Sequence, residues 1–413
     1  MERRDFLKNL FKVAAYSQLA GLADTLQDDI NADKSSGEGV QITRRPYRQT
    51  GMTLPLLGFG TMRLPEKDGK IDFAAAELLI GRALDHGCNY FDTAYVYKGS
   101  EEFLGKVLSG YPRGSYYLTS KMPVRSLKSE DDLEQIFQEQ LRRTKAGYFD
   151  FYFMHWLNAE HWKKAQEFHV WEFLEKQKAE GRIRRIGFSF HDEPELLETI
   201  VKAHPWELVQ IQLNYVDWEV CRAREMYEIL TRNGIPVAVM EPLKGGTLVR
   251  LTESAGKIFT EADPEASYAS WGLRYAASLP NVQVVLSGMS SIDQLEDNLR
   301  TFTNFTPLTE VERETVADVL AEYRKTSAVP CTGCRYCRPC PQGVDIPRNL
   351  ALFNQVKAQK QTGHAGMVYH AMKESERASN CIGCGVCKTR CPQKIDIPAQ
   401  LKNTDACFSS PGK

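Results

Sequence analysis

Eight short apolar runs between residues 54 and 287 alternate with longer amphipathic segments at intervals of roughly 30 residues, and this rhythm restricts the fold more than any other feature of the chain. The runs are LPLLGFGT (54–61), CNYFDT (88–93), SYYLTSK (115–121), FDFYFMH (149–155), IRRIGFS (183–189), LVQIQLN (208–214), PVAVM (236–240) and VQVVLS (282–287). Between them, segments such as FAAAELLIGRALDHG and DLEQIFQEQLRRTKAG space apolar residues by three and four and stop at Gly, as helices do. Eight strands that each lead into a helix predict an α/β (β/α)8 TIM barrel over 49–305, with an open doubly wound sheet as the alternative. Such a barrel carries its chemistry at the C-terminal ends of the strands.

Three consecutive strand ends hold Asp92 with Tyr97 five residues on, Lys121, and His155. This set resembles the catalytic tetrad of the aldo-keto reductases. LPLLGFGTMRLP, GFSF at 187–190, QLNY from Gln212 and SGMSSIDQLEDN from Ser287 extend the resemblance across the barrel. It implies carbonyl–alcohol interconversion with a nicotinamide cofactor. A phenol with a pKa of about 10 is a poor acid at neutral pH, and a neighbouring ammonium favours its ionised form. Lys121 is expected to supply that charge, with Asp92 orienting it. Tyr97 then passes the proton to the carbonyl oxygen, and His155 holds that oxygen by a hydrogen bond.

By the same resemblance, Ser189 and Gln212 are expected to bind the nicotinamide carboxamide. Phe190, followed by His191, stands where relatives carry Asn. Met240, with Pro242 and Leu243 close behind it, stands where an aromatic ring usually covers the nicotinamide. Gly288, Met289, Ser290, Gln294 and Asn298 fall in the adenine-side phosphate segment. The basic pair that clamps a 2′-phosphate is replaced by Gly288 and Gln294, which leaves NAD and NADP level, with Lys244 and Arg300 as the cations within reach.

Eight of the eleven cysteines lie in two C-terminal runs, CTGCRYCRPCP (Cys331, Cys334, Cys337, Cys340) and CIGCGVCKTRCP (Cys381, Cys384, Cys387, Cys391). Cys-x2-Cys-x2-Cys wraps three thiolates around a corner of an iron-sulfur cube, and the Cys before Pro reaches the neighbouring cube. That pattern assigns Cys331, Cys334, Cys337 and Cys391 to one 4Fe-4S cluster and Cys381, Cys384, Cys387 and Cys340 to a second. The first run has a gap one residue short before Cys340. Zinc ribbons use paired rather than tripled spacings, and disulfides suit smaller secreted domains. Cys88, Cys221 and Cys407 read as ordinary thiols. From residue 326 onward 12 Lys and Arg face 5 Asp and Glu, while the whole chain carries −1. Two cubanes at about −2 each offset much of that excess, so the basic tail does not argue for nucleic acid. Barrel and cysteines together resemble the ferredoxin-bearing branch of the aldo-keto reductases.

Arg3, Arg4, Phe6, Leu7 and Lys8 resemble a twin-arginine export signal, which implies a periplasmic protein exported already folded. Lys12, Ser17 and Gln18 interrupt the apolar stretch that follows, and an amphipathic helix on a cytoplasmic protein is the alternative. Residues 24–48 read as a polar linker, 306–329 as a connecting helix, and 330–413 as the mainly helical cluster domain. No apolar run reaches the roughly 18 residues of a membrane span. Three functional readings follow: a carbonyl oxidoreductase whose clusters relay electrons to or from a partner protein, a reductase with structural or redox-sensing clusters, and an electron-carrier subunit with an inactive barrel. The complete tetrad disfavours the third.

Overall fold

The computed structural model of the protein describes residues 41–48, 50–326, 329–359 and 362–409. The twin-arginine-like residues and most of the expected linker lie outside these. Strands β1 (Arg44–Pro46) and β2 (Thr53–Pro55) pair as an antiparallel hairpin. Barrel strand β3 (Leu57–Gly60) follows, then a second hairpin of β4 (Glu66–Lys67) and β5 (Lys70–Ile71). Then come β6 (Tyr90–Asp92), β7 (Tyr117–Met122), β8 (Phe151–Leu157), β9 (Ile186–Phe190), β10 (Leu208–Gln212), β11 (Val237–Met240) and β12 (Val282–Ser287). β3 and β6 to β12 close in that order into one parallel barrel.

Two expectations change. The run 54–61 is not one strand: β2 ends at Pro55, and the chain passes through Leu56 into β3. The end of the expected linker is also structured, because Tyr47 is 1% exposed and packs edge-on against Phe151 at 5.6 Å in the barrel floor. Tyr90, Phe153, Leu208, Ala238, Val284 and Leu286 complete that layer. Gly187 leaves room there, since a Cβ would sit 2.6 Å from the Phe153 ring. Each fully buried aromatic or aliphatic side chain contributes about 1.5–3 kcal/mol.

The helices follow from apolar spacing and caps. Ala223–Arg232 buries Ala223, Met226, Tyr227 and Leu230 on one face, and Asp72 caps Phe73–Asp85 by accepting from the Ala75 N–H at 3.2 Å. The helix Glu310–Thr326 starts on a reciprocal cap, with Thr309 N–H donating to Glu312 and Glu312 N–H to the Thr309 hydroxyl. Its Val316, Val319 and Tyr323 pack with Phe259 and Trp271 of the barrel shell.

The cysteine module has its own core, including Val344, Ile346, Leu350, Phe353, Tyr369, Ile397, Leu401 and Phe408. Its helices Ile346–Gln359 and Gly363–Ala371 lie between the two cysteine runs, and Ile397–Ser409 follows them. The module is an internal repeat: Cys340-Pro-Gln-Gly-Val-Asp-Ile-Pro matches Cys391-Pro-Gln-Lys-Ile-Asp-Ile-Pro. In both copies the Asp precedes a helix whose second residue is Pro, a position without an intrahelical N–H partner.

Candidate active site at the barrel mouth

The four tetrad positions converge at the C-terminal end of the barrel. Lys121 Nζ donates to Asp92 Oδ1 at 2.6 Å and to the Thr93 carbonyl at 2.8 Å, with both side chains under 5% exposed. Burial pushes the Asp92 carboxyl up and the Lys121 ammonium down, and each charge opposes the shift of the other. Lys121 Nζ stands 5.1 Å from the centre of the Tyr97 ring, which meets the His155 ring edge-on at 5.9 Å. The sequence leads one to expect a lowered Tyr97 pKa. It is instead raised well above the usual range, by burial first and then by Tyr336, Asp92 and Glu241. Tyr97 therefore stays protonated, a weaker acid than a free phenol, and gives up its proton only to an oxygen on which negative charge has built up. His155 is held neutral, chiefly by burial and then by Lys121, His191 and His161.

The cysteine module enters this mouth. Trp156, next to His155, has φ 57°, a left-handed conformation uncommon outside Gly, and interrupts the β8–β9 register. The turn aims its N–H at Ser189 Oγ, 2.7 Å away, and lays its ring against Tyr336 at 4.3 Å and 18°. Tyr336 comes from Cys334-Arg-Tyr-Cys337. A cavity of about 470 Å³ opens beside the stack, lined by Tyr97, His155, Trp156, Arg125, Cys334 and Tyr336 among others. A cysteine of the first run and two tetrad residues thus share one cavity.

The positions expected to hold a nicotinamide are engaged by the chain itself. Ser189 Oγ already accepts from Trp156. Gln212 Nε2 donates to Gln393 Oε1 at 2.8 Å and to Asp217 Oδ2 at 2.6 Å, and Gln212 Oε1 accepts from Gln393 Nε2 at 2.6 Å. Both Gln212 amide hydrogens and its carbonyl are used. Lys244 is wholly buried, ion-paired with Asp217, and donates to Gln393 at 3.1 Å. It is not free to clamp a 2′-phosphate, and Arg300 pairs with Asp297 on the surface. Beyond Met240, Pro242 and Leu243, Gly245 has φ 65°, and a Cβ there would lie 2.3 Å from the Thr332 carbonyl. Arg63 donates to the same carbonyl at 2.8 Å, and its side chain covers Gly288. At the adenine side, the Ser290 hydroxyl donates to the Arg63 carbonyl, Ser290 N–H donates to Gln294, and Asn298 donates to Ser287. Met289 is core rather than surface. With the module seated, this cleft does not fit a bound nicotinamide.

The cysteines fit clusters better. None is in a disulfide. The charges acting on Cys337 are those of Cys334, Cys331 and Cys391, whereas those on Cys387 are Cys381, Cys384 and Cys340. Burial pushes Cys337 up to about 12 and Cys387 and Cys334 up to about 11. Metal binding takes up such thiols as thiolates and releases their protons. The short gap before Cys340 contains the cis Arg338–Pro339 peptide, and Cys340 sits with the second run's triplet across a hollow that also touches Cys337.

Residues 56–321 match the Aldo/keto reductase family. The chain belongs to that family. Residues 330–395 match a 4Fe-4S dicluster domain, which indicates iron-sulfur clusters. Among curated relatives, L-galactose dehydrogenase of Arabidopsis thaliana is 26% identical over 306 residues, covering 68% of this chain and 94% of the relative. An aldo-keto reductase of Mycobacterium sp. (strain MCS) is 28% identical over 255 residues, 61% of this chain and 83% of its own length. Among solved structures, aldo-keto reductase AKR11C1 from Bacillus halodurans in its holo form superposes with a TM-score of 0.57 at 26% identity, covering 68% of this aldo-keto reductase and 96% of that one. These matches support an oxidoreductase built on the family's barrel.

The sequence reading missed Trp156, Glu241, Thr332, Tyr336 and Gln393. Glu241 also has a left-handed φ, 56°, and its buried Oε2 has no hydrogen-bond partner among the described residues. Only the repeated Cys-Pro-Gln pointed to Gln393, and Tyr336 was visible as the aromatic residue inside the first triplet.

Proposed function

We propose that this aldo-keto reductase interconverts a carbonyl and an alcohol in the cavity at the barrel mouth, exchanging electrons with an outside redox partner through its cysteine module. The reading rests on one observation: Cys334 lines the same cavity as Tyr97 and His155. Cys331, Cys334, Cys337 and Cys391 would hold the inner cluster, and Cys381, Cys384, Cys387 and Cys340 the outer one. When bound, 4Fe-4S clusters supply or remove electrons one at a time. In the reducing direction the substrate takes up two electrons and two protons. Tyr97 gives one proton to the oxygen, and solvent in the open cavity supplies the other to carbon. Neutral His155 donates a hydrogen bond to that oxygen and fixes its place, while the Lys121–Asp92 pair keeps a positive charge beneath the Tyr97 ring.

The barrel's resemblance to dinucleotide-using relatives favours a second reading, with hydride delivered by NAD or NADP. It requires Gln393 and Thr332 to withdraw from the cleft. For residues 1–40 we propose twin-arginine export, tested by fractionating cells that express the full chain. The function is tested with a screen of aldehydes, ketones and sugars under reduced viologen, NADH or NADPH. Tyr97→Phe should lower turnover by about 10²–10⁴-fold while leaving cluster spectra unchanged. Unaltered turnover in that variant removes Tyr97 as the acid.

A further inference from the structure

The family cleft is closed at Gln212 and Gly245 by Gln393 and Thr332 of the cysteine module, and at Ser189 and Gly288 by Trp156 and Arg63 of the barrel. We infer that this cleft is the permanent seat of the chain's own iron-sulfur module, with the Gln393 amide taking the place of a nicotinamide carboxamide, so that the barrel works without a dinucleotide. The inference rests on the proposed carbonyl chemistry and names what serves that site.

Four observations carry it. The Gln393–Gln212 contact is reciprocal, with an amide donating and accepting on each side, which is how a carboxamide ligand would be held. The surroundings are built for it: Asp217, Lys244, Gln212 and Gln393 are each no more than 8% exposed and form one hydrogen-bonded set. A half-satisfied buried network would be costly, so this one is complete only with Gln393 present. Thr332 approaches Gly245 too closely for any side chain, and Arg63 ties down the same carbonyl. The Trp156–Tyr336 stack closes the other side.

The internal repeat supplies a contrast. Gln342 matches Gln393 in sequence, yet Gln342 is exposed and Gln393 is buried in the barrel. The same Pro-Gln pair after a cluster cysteine therefore has its Gln exposed in one copy and committed to the barrel in the other. Electron balance needs no hydride: one carbonyl, two electrons and two protons give one alcohol. The electrons arrive singly from an external low-potential one-electron carrier, which is oxidised twice.

The test uses the intact holoprotein, purified anaerobically. It is denatured to release any bound nucleotide, and a second sample is titrated with NADH and with NADPH by isothermal calorimetry up to about 1 mM, the upper end of ordinary substrate affinities. The expected results are no stoichiometric nucleotide on release, no binding isotherm, and no change in the electron paramagnetic resonance lineshape of the reduced clusters when either nucleotide is added. One-site binding of either nucleotide, or recovery of a bound one, overturns the inference. It would leave the role of Tyr97 standing, because that is read separately from Tyr97→Phe under reduced viologen.

Discussion

Replacing Gln393 by Ala should loosen the module from the barrel, and replacing its repeat partner Gln342 should not. Gln393 makes three side-chain hydrogen bonds, two with Gln212 and one with Lys244. Truncation leaves Gln212 Oε1 without a donor in a site where Gln212 is 5% exposed, whereas Lys244 keeps Asp217. A lost neutral bond is worth about 0.5–1.5 kcal/mol, one to a charged group about 1.5–3, and a stranded acceptor about 1–3. Allowing for water entering the gap, module opening becomes easier by about 2–4 kcal/mol. That corresponds to a roughly thirty- to thousand-fold larger open population. Hydrogen exchange read by mass spectrometry on peptides covering 329–337 and 391–397 reports it, with β7 peptides as the internal reference. Gln342 is exposed, so Gln342→Ala should stay within about 0.5 kcal/mol of the parent. Equal exchange in the two variants would refute the seating of the module through Gln393.

Three further outcomes are expected. Asp92→Ala strands Lys121, whose side chain is 1% exposed, and should cost about 3–5 kcal/mol by chemical denaturation; a loss below about 1 kcal/mol would mean that the pair is not buried as described. Gly245→Ala and Gly246→Ala both place a side chain at positive φ, but only the first meets the Thr332 carbonyl, so Gly245→Ala alone should raise exchange in the 329–337 peptides. Cys340→Ser should remove the same paramagnetic signal as Cys387→Ser, and Cys391→Ser the same one as Cys334→Ser, with iron analysis showing one cluster lost in each; the opposite pairing would reverse the exchange of ligands between runs.

What was legible in the sequence was what repeats or what is local. Strand and helix periodicity gave a closed barrel because each βα unit carries its own pattern, and Asp92, Tyr97, Lys121 and His155 meet because strand ends of one barrel must. The split between β2 and β3 was hidden because Pro55 falls inside one continuous apolar run. Lys244 read as a cation within reach of a 2′-phosphate because its partner Asp217 stands 27 residues away, and nothing local marks the pair. Gln393 was further out of reach: it meets Gln212 across 181 residues, and a polar residue after Cys-Pro carries no periodic signal of burial. The Tyr97 shift was misjudged for a similar reason, since the enclosure that raises it includes Tyr336 from the module.

The placement of the first cysteine triplet against the barrel also sets how each ligand set is reached. Thr332 lies between Arg63 and Gly245, and Tyr336 lies against Trp156, so the Cys331–Cys337 segment is held against the barrel, with Cys334 facing the cavity at its mouth. Cys384 and Ile382, the counterparts of Cys334 and Thr332 in the second triplet, face solvent. Clusters held as proposed would therefore be reached by small molecules through the barrel-mouth cavity at the inner site and directly from solvent at the outer one.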